Sequence, residues 1–330
     1  MRAAFRGWIV AFGFLGAVSA PARAADVDKY LPDDTETVVV LNVRQVLDAP
    51  VVKKYLREQM KATLKNNAED QPLLSLFDPD ALKDVDRITV AIPTGGALQG
   101  KGLIVVQGRF DLNAIQATAQ ALAQSTAITV KIHPHDKTPL HEILLDDPPK
   151  PFLFAAFLDK NVLVISPGKE PVLEAMAKHN GKRTTKLNKD LQALIARTDA
   201  KQHIWVAGRV AELWKKSLER VNQLKLFAGK LESFSGGVRF TETIKASLFL
   251  QLSDAQAAVD LRQTLEASKG LVAVVIATSK DLKEHGPVLN DILNALQFSQ
   301  DKGTVGIELT LPEDLIERGL KKPGQPGADK

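Results

Sequence analysis

The stretch "HPHDKTPLHE", residues 133–142, gathers three of the chain's six histidines beside Asp136 and Glu142. Imidazole nitrogens and carboxylate oxygens are the donors that zinc and related divalent ions take. Upstream, Ile128, Val130 and Ile132 alternate with Thr129, Lys131 and His133, the pattern of a half-buried strand, and "LHEILL" reads as its hairpin partner. A hairpin folded about Lys137 sets His133 opposite His141, with Cβ atoms about 4.5–5.5 Å apart. His133, His135 and His141 are therefore candidate metal ligands, with Asp136 or Glu142 adding oxygen. That chemistry is metal binding or, with an open coordination position, metal-dependent hydrolysis. Against it, Pro134 cannot donate to the ladder, and a solvated turn lacks the supporting shell that holds catalytic ligands. An incidental exposed cluster is the simpler reading.

The other chemical patterns are weaker. "GGALQGKG" (95–102) fills the G-x-x-x-x-G-K spacing of a phosphate-binding loop, but Gly102 stands where Ser or Thr would hold Mg²⁺. The following "GLIVVQGRF" reads as a strand where the motif needs a helix N-terminus. There is no G-x-S-x-G and no H-E-x-x-H. Asp33-Asp34 and Asp146-Asp147 sit beside prolines and read as solvated turn residues. Trp205, on a strand, and Trp214, on the helix after it, are expected to face a shared core, with His203 on the strand face of Trp205. His179 falls in the last turn of a helix, and His285 precedes a Gly-Pro break. No catalytic residue and no cofactor is assigned.

The elements that must position these residues begin with the first 24. Arg2 and Arg6, an apolar run from Trp8 to Val18, and Ala22-Arg23-Ala24 have the three parts of a secretory signal, predicting cleavage after Ala24 and a chain of 306 residues. The apolar run falls short of the roughly 20 residues that span a bilayer. Removing Arg2, Arg6 and Arg23 leaves 40 basic residues against 39 acidic. That balance argues against nucleic acid as a partner. There are no cysteines, which excludes thiol catalysis, Cys-based zinc sites and a lipid-modified N-terminal cysteine. "GLVAVVIA" (270–277) is too short to span a membrane, so no stable span is expected after leader removal; the segment suits a buried element.

The opening "LPDDTETVVVLNVRQVL" (31–47) gives a loop and a β-branched strand, and "DAPVVKKYLREQMKATLK" after it reads as a helix with Pro50 near its first turn. With the leader, it resembles that of a group of predicted exported bacterial proteins of unknown function. The resemblance implies export and carries no site residues.

Further on, "VDRITVAIP" and "GLIVVQGRF" read as strands, followed by a helix over about 112–123 capped by Asp111. "FLFAAFLDKNVLVIS" reads as two strands around a turn, and "KEPVLEAMAKH" as a helix stopped at Asn180-Gly181. Much of this order recurs. Residues 102–123 align with 246–267 with a one-residue shift that sets Asp111 on Asp254 at an offset of 143, and Asp159 falls on Asp301 at an offset of 142. The chain is thus expected to be α+β, two tandem related units of antiparallel sheet with helices packed on one face. The boundaries are 25–182 and 183–320, with a disordered Pro/Gly-rich tail at 321–330. The function implied is that of an exported, periplasmic or extracellular, non-enzymatic binding or scaffold protein. Its partner is expected to be a protein or an envelope component, met at a sheet edge, a groove or a helical face. The alternative is metal chemistry at His133, His135 and His141.

Overall fold

A computed structural model describes residues 29–56, 81–94, 101–113, 128–135, 138–146, 149–199, 201–210, 224–279 and 285–320. Twelve strands form one antiparallel sheet: β1 (Thr35–Leu41), β2 (Val85–Pro93), β3 (Leu103–Gly108), β4 (Ile128–His133), β5 (Leu140–Asp146), β6 (Pro149–Asp159), β7 (Val162–Ser166), β8 (Ile204–Arg209), β9 (Leu231–Phe240), β10 (Ile244–Leu252), β11 (Leu296–Asp301) and β12 (Thr304–Leu311). Six α-helices accompany them among the described residues: α1 (Val43–Asp48), α2 (Lys169–His179), α3 (Lys189–Arg197), α4 (Ala255–Thr278), α5 (Gly286–Ala295) and α6 (Glu313–Leu320). The architecture is α+β, as the alternation of β-branched runs and capped helices predicts.

Strand order across the sheet is β11-β12-β10-β9-β8-β1-β2-β3-β7-β6-β5-β4. Read outward from the β1–β8 seam, one half runs β1-β2-β3-β7-β6 and the other β8-β9-β10-β12-β11; the first half then adds the hairpin β5-β4. The Asp residues matched in the sequence also take similar local roles. Asp254 caps α4 by accepting a hydrogen bond from the Ala257 amide at 2.7 Å, and Asp111 accepts one from the Asn113 amide at 3.0 Å. Such caps satisfy amides that have no partner within a helix.

At the seam, Val38 pairs with Ala207 and Val40 with Trp205. These side chains belong to the largest core, together with Leu103, Val105, Ala156 and Val164 from the same sheet face, and α2 and α3 cover it with Val172, Ala175, Met176, Leu191 and Ile195. Trp205 thus faces a core as expected; Trp214 lies outside the described residues. A buried polar link joins the halves beside it. Asn42 donates from Nδ2 to the Gln202 carbonyl at 2.7 Å and accepts at Oδ1 from Arg87 Nε at 2.9 Å.

The helices divide between the two sheet faces rather than gathering on one. Following the register from Val38 through Ala207 and Ser235 to Phe249 shows that Leu250, Leu252 and Val305 point to the opposite face. There they pack against Ala257, Ala258 and Leu261 of α4. Periodicity reveals that a helix has an apolar side, and the pairing of distant strands decides which face of the sheet it meets.

The end of α2 follows its sequence signal. Gly181 has φ +71, and the Lys182 amide donates to the Ala177 carbonyl at 2.9 Å, closing the helix in the left-handed geometry that glycine adopts without steric cost. In the sheet interior, Thr89 is fully buried between strands and its hydroxyl has no hydrogen-bond partner. Thr89→Val removes an unsatisfied buried group at constant shape, so urea unfolding should show a gain of about 1 kcal/mol. A loss of stability would mean that the hydroxyl has a partner in solution.

Candidate functional site

The histidine hairpin forms, but in a different register from the one expected. His133 pairs with Leu140 and Ile132 with His141, so His133 and His141 project from opposite faces of the sheet. A slip of one residue has this consequence because side chains alternate with a period of two. Pro134 lies just beyond the end of β4, and the turn closes through the Thr138 amide donating to the His135 carbonyl at 3.0 Å, with Thr138 buried. His133 instead meets its diagonal cross-strand neighbour Glu142, Nε2 to Oε2 at 2.6 Å. His135 is exposed beyond the strand. Asp136 and Lys137 lie outside the described residues, among which no group of three His, Asp or Glu side chains is placed to hold a metal ion.

Of the paired acids, Asp34 is exposed as expected, whereas Asp33 is the hub of an ion cluster. Lys178, on α2, has a side chain only 1% exposed. Its ammonium donates to the Leu31 carbonyl at 2.5 Å, Asp33 Oδ1 at 2.9 Å and Glu174 Oε1 at 2.6 Å, three acceptors for three protons. Asp33 also accepts from the Lys186 amide at 3.0 Å and from Arg183 at 2.8 Å. Burial alone would raise the Asp33 pKa; the hydrogen bonds from Lys178, Lys186 and Arg183 and the charge of Lys178 together outweigh it and hold the carboxyl well below the usual carboxylate range. Every charge here has a partner within the cluster, so its work is to fasten the opening loop to α2 and to the segment that follows. Of the other acid pair, Asp146 ends β5 and Asp147 lies outside the described residues.

Gly102 leads into β3, and its carbonyl accepts from Ser166 Oγ at 2.6 Å. With a strand here, no helix N-terminus is available to receive phosphate. Residues 95–100 of that loop lie outside the described residues. His179 stacks on Tyr30 with ring centroids 6.1 Å apart, and the His285 carbonyl accepts the Leu289 amide at 2.9 Å as α5 begins.

A shallow polar depression of about 320 Å³ lies on the sheet of the second half, lined by Asp199, Gln202, Arg239, Lys245, Ser247 and Glu308, among others. Arg239 is paired with Asp199 at 2.8 Å. Nearby, burial and then the Arg239 charge lower the pKa of His203, whose Nδ1 accepts from the Phe240 amide at 3.3 Å. No acid–base pair is directed at Ser247 among these contacts. An antiparallel sheet commonly leaves one face to water, and this polar surface fits that pattern.

Among the described residues, the exposed large apolar side chains gather on α4, with Ile132 and Leu226 exposed singly elsewhere. The first half of α4 is anchored by the Asp254 cap and by Ala257, Ala258 and Leu261. Beyond Gly270, Leu271 is 64% exposed, Val272 45%, Val274 59% and Val275 56%. "GLVAVVIA" was expected to be buried, and among the described side chains of that segment only Ile276 is. In α5, which packs beside α4, only Gly286 is buried; Leu289, Ile292 and Leu293 remain partly exposed. Contiguous exposed apolar surface of this kind is uncommon on a face that meets only water. The sequence signal was present: the segment is apolar on every side of a helix, although a surface helix needs only one apolar stripe. No helix among the described residues is long and apolar enough to cross a membrane.

No family model matches the chain, and no characterised protein sequence matches it. Its fold is similar to that of TP0453 in crystal form III, with a TM-score of 0.50 and 8% identity over 88% of this chain and 95% of that one. Crystal form I of TP0453 gives a TM-score of 0.47 and 9% identity over 89% of this chain and 97% of that one. At such identities the likeness concerns the fold alone.

Proposed function

We propose that the chain is an exported, non-enzymatic binding protein of the cell envelope, built from two tandem related α+β units, 25–182 and 183–320. It engages a protein or another envelope component through the exposed apolar half of α4. The observation that carries this reading is the run of Leu271, Val272, Val274 and Val275, each between 45% and 64% exposed on one helix. Supporting it are the secretory pattern of residues 1–24 and the near balance of charge after them, which leaves apolar contact as the main attraction on offer.

The test separates binding from folding. Leu271→Gln with Val275→Gln exchanges exposed apolar groups for polar ones, so stability should change by no more than about 0.5 kcal/mol. Retention of the chain by isolated envelope material should fall by about tenfold or more, each 1.4 kcal/mol of lost contact being a factor of ten. If retention is unchanged while the variant stays folded, α4 is not the binding surface.

A further inference from the structure

We propose that the occupant of the α4 surface is a lipid bilayer, met at the boundary between headgroups and acyl chains; this rests on the binding reading above and specifies its partner. At 100° per residue, Ala277, Val274, Thr278, Leu271, Val275 and Val272, all exposed, sweep an arc of roughly 220° around the helix. Ile276 occupies the opposite side and faces the protein, its Cγ2 lying 3.8 Å from where a Cβ on Gly286 would stand. A protein partner that seats a helix covers a stripe a little over 100° wide. A fluid that conforms to the helix covers the whole arc.

Charge and size point the same way. No charged residue occurs from Gly270 to Ser279, whereas Lys269 precedes that stretch and Lys280, Asp281, Lys283 and Glu284 follow it. An uncharged run of ten residues suits a segment whose middle meets the acyl region, and the Lys269 ammonium before it is held by the Leu296 carbonyl at 2.9 Å. Four large apolar side chains are also far fewer than the roughly 20 residues a side of a stable protein interface, so a second copy of this chain is poorly served by the patch. Nine or so helical residues extend only about 14 Å, enough to lie in one leaflet and too short to cross.

The chain has no cysteine, so Val275→Cys accepts a single environment-sensitive dye, and Glu170→Cys on α2, across the sheet from α4, is the control. The probes are vesicles of phosphatidylcholine, and of phosphatidylcholine with phosphatidylglycerol. The chain is expected to float with both, the dye at 275 to shift to the blue and the dye at 170 to stay unchanged. The unlabelled Leu271→Gln, Val275→Gln chain should partition about tenfold less. Failure to float with either vesicle overturns the lipid assignment. Flotation confined to anionic vesicles and insensitive to the two substitutions also overturns it, as does α4-dependent dimerisation without vesicle binding. The broader binding reading would survive the first result if Val275 still cross-links to a protein in native envelopes, so the two failures are distinguishable.

Discussion

Lys178→Ala is expected to lower the unfolding free energy by about 3–5 kcal/mol, because breaking a buried ion pair from one side leaves the other charges desolvated without their partner. Lys178 is the most enclosed member, at 1% side-chain exposure, while Asp33 and Glu174 retain 24% and 18%. The loss should therefore lie toward the lower end of that range. Urea unfolding followed by circular dichroism measures it. Lys178→Met, which keeps the apolar stem, should recover little, since the missing element is the charge.

The same cluster fixes a direction of pH dependence. The folded Asp33 carboxyl is held below its ordinary value, so its contribution to stability is fully present above the unfolded carboxylate pKa, near 4. It is lost as pH falls from there through the folded value. The wild-type chain should lose stability between about pH 5 and pH 2 more steeply than Lys178→Ala does. Equal slopes would mean that Lys178 does not set the ionisation of Asp33.

Trp205→Ala is expected to cost about 3–5 kcal/mol, the range for truncating a large buried aromatic. Its site magnifies the consequence: Trp205 pairs with Val40 across the β1–β8 seam, and this pairing joins the two halves of the sheet. Amide exchange in β1 and β8 should accelerate more than exchange in β12, far from the seam. Trp205→Phe, which keeps a ring in the core, should cost less than half as much. A uniform acceleration across all strands would instead mean that the sheet opens only as one unit.

What the sequence made legible were features whose cause is local. The β-branched runs became strands, Asp254 became the cap of α4, and Gly181 closed α2 in the left-handed region. Features set by long-range pairing were not legible. The hydrogen-bond partners of the Asp33 carboxylate lie 145 to 153 positions away, so Asp33-Asp34 read as two equivalent turn acids although only Asp34 is left to solvent without them. The histidine hairpin forms as a hairpin, but symmetry about Lys137 does not set its register: His133 pairs with Leu140, one residue away, which parts it from His141. In "GLVAVVIA", composition signals surface that avoids water, but it does not say what covers that surface, and Leu271, Val272, Val274 and Val275 stand exposed.

A binding surface on the exposed half of α4 must touch its partner in the native envelope. The most direct measurement places a photo-reactive amino acid at Val275, and in parallel at Glu170, in the full chain expressed in its native envelope, and compares the adducts formed on irradiation. An abundant adduct, with lipid or with protein, is expected at Val275, little at Glu170, and loss of the Val275 adduct when Leu271 is replaced by glutamine. Equal labelling at the two positions, or none at Val275, would contradict binding through α4.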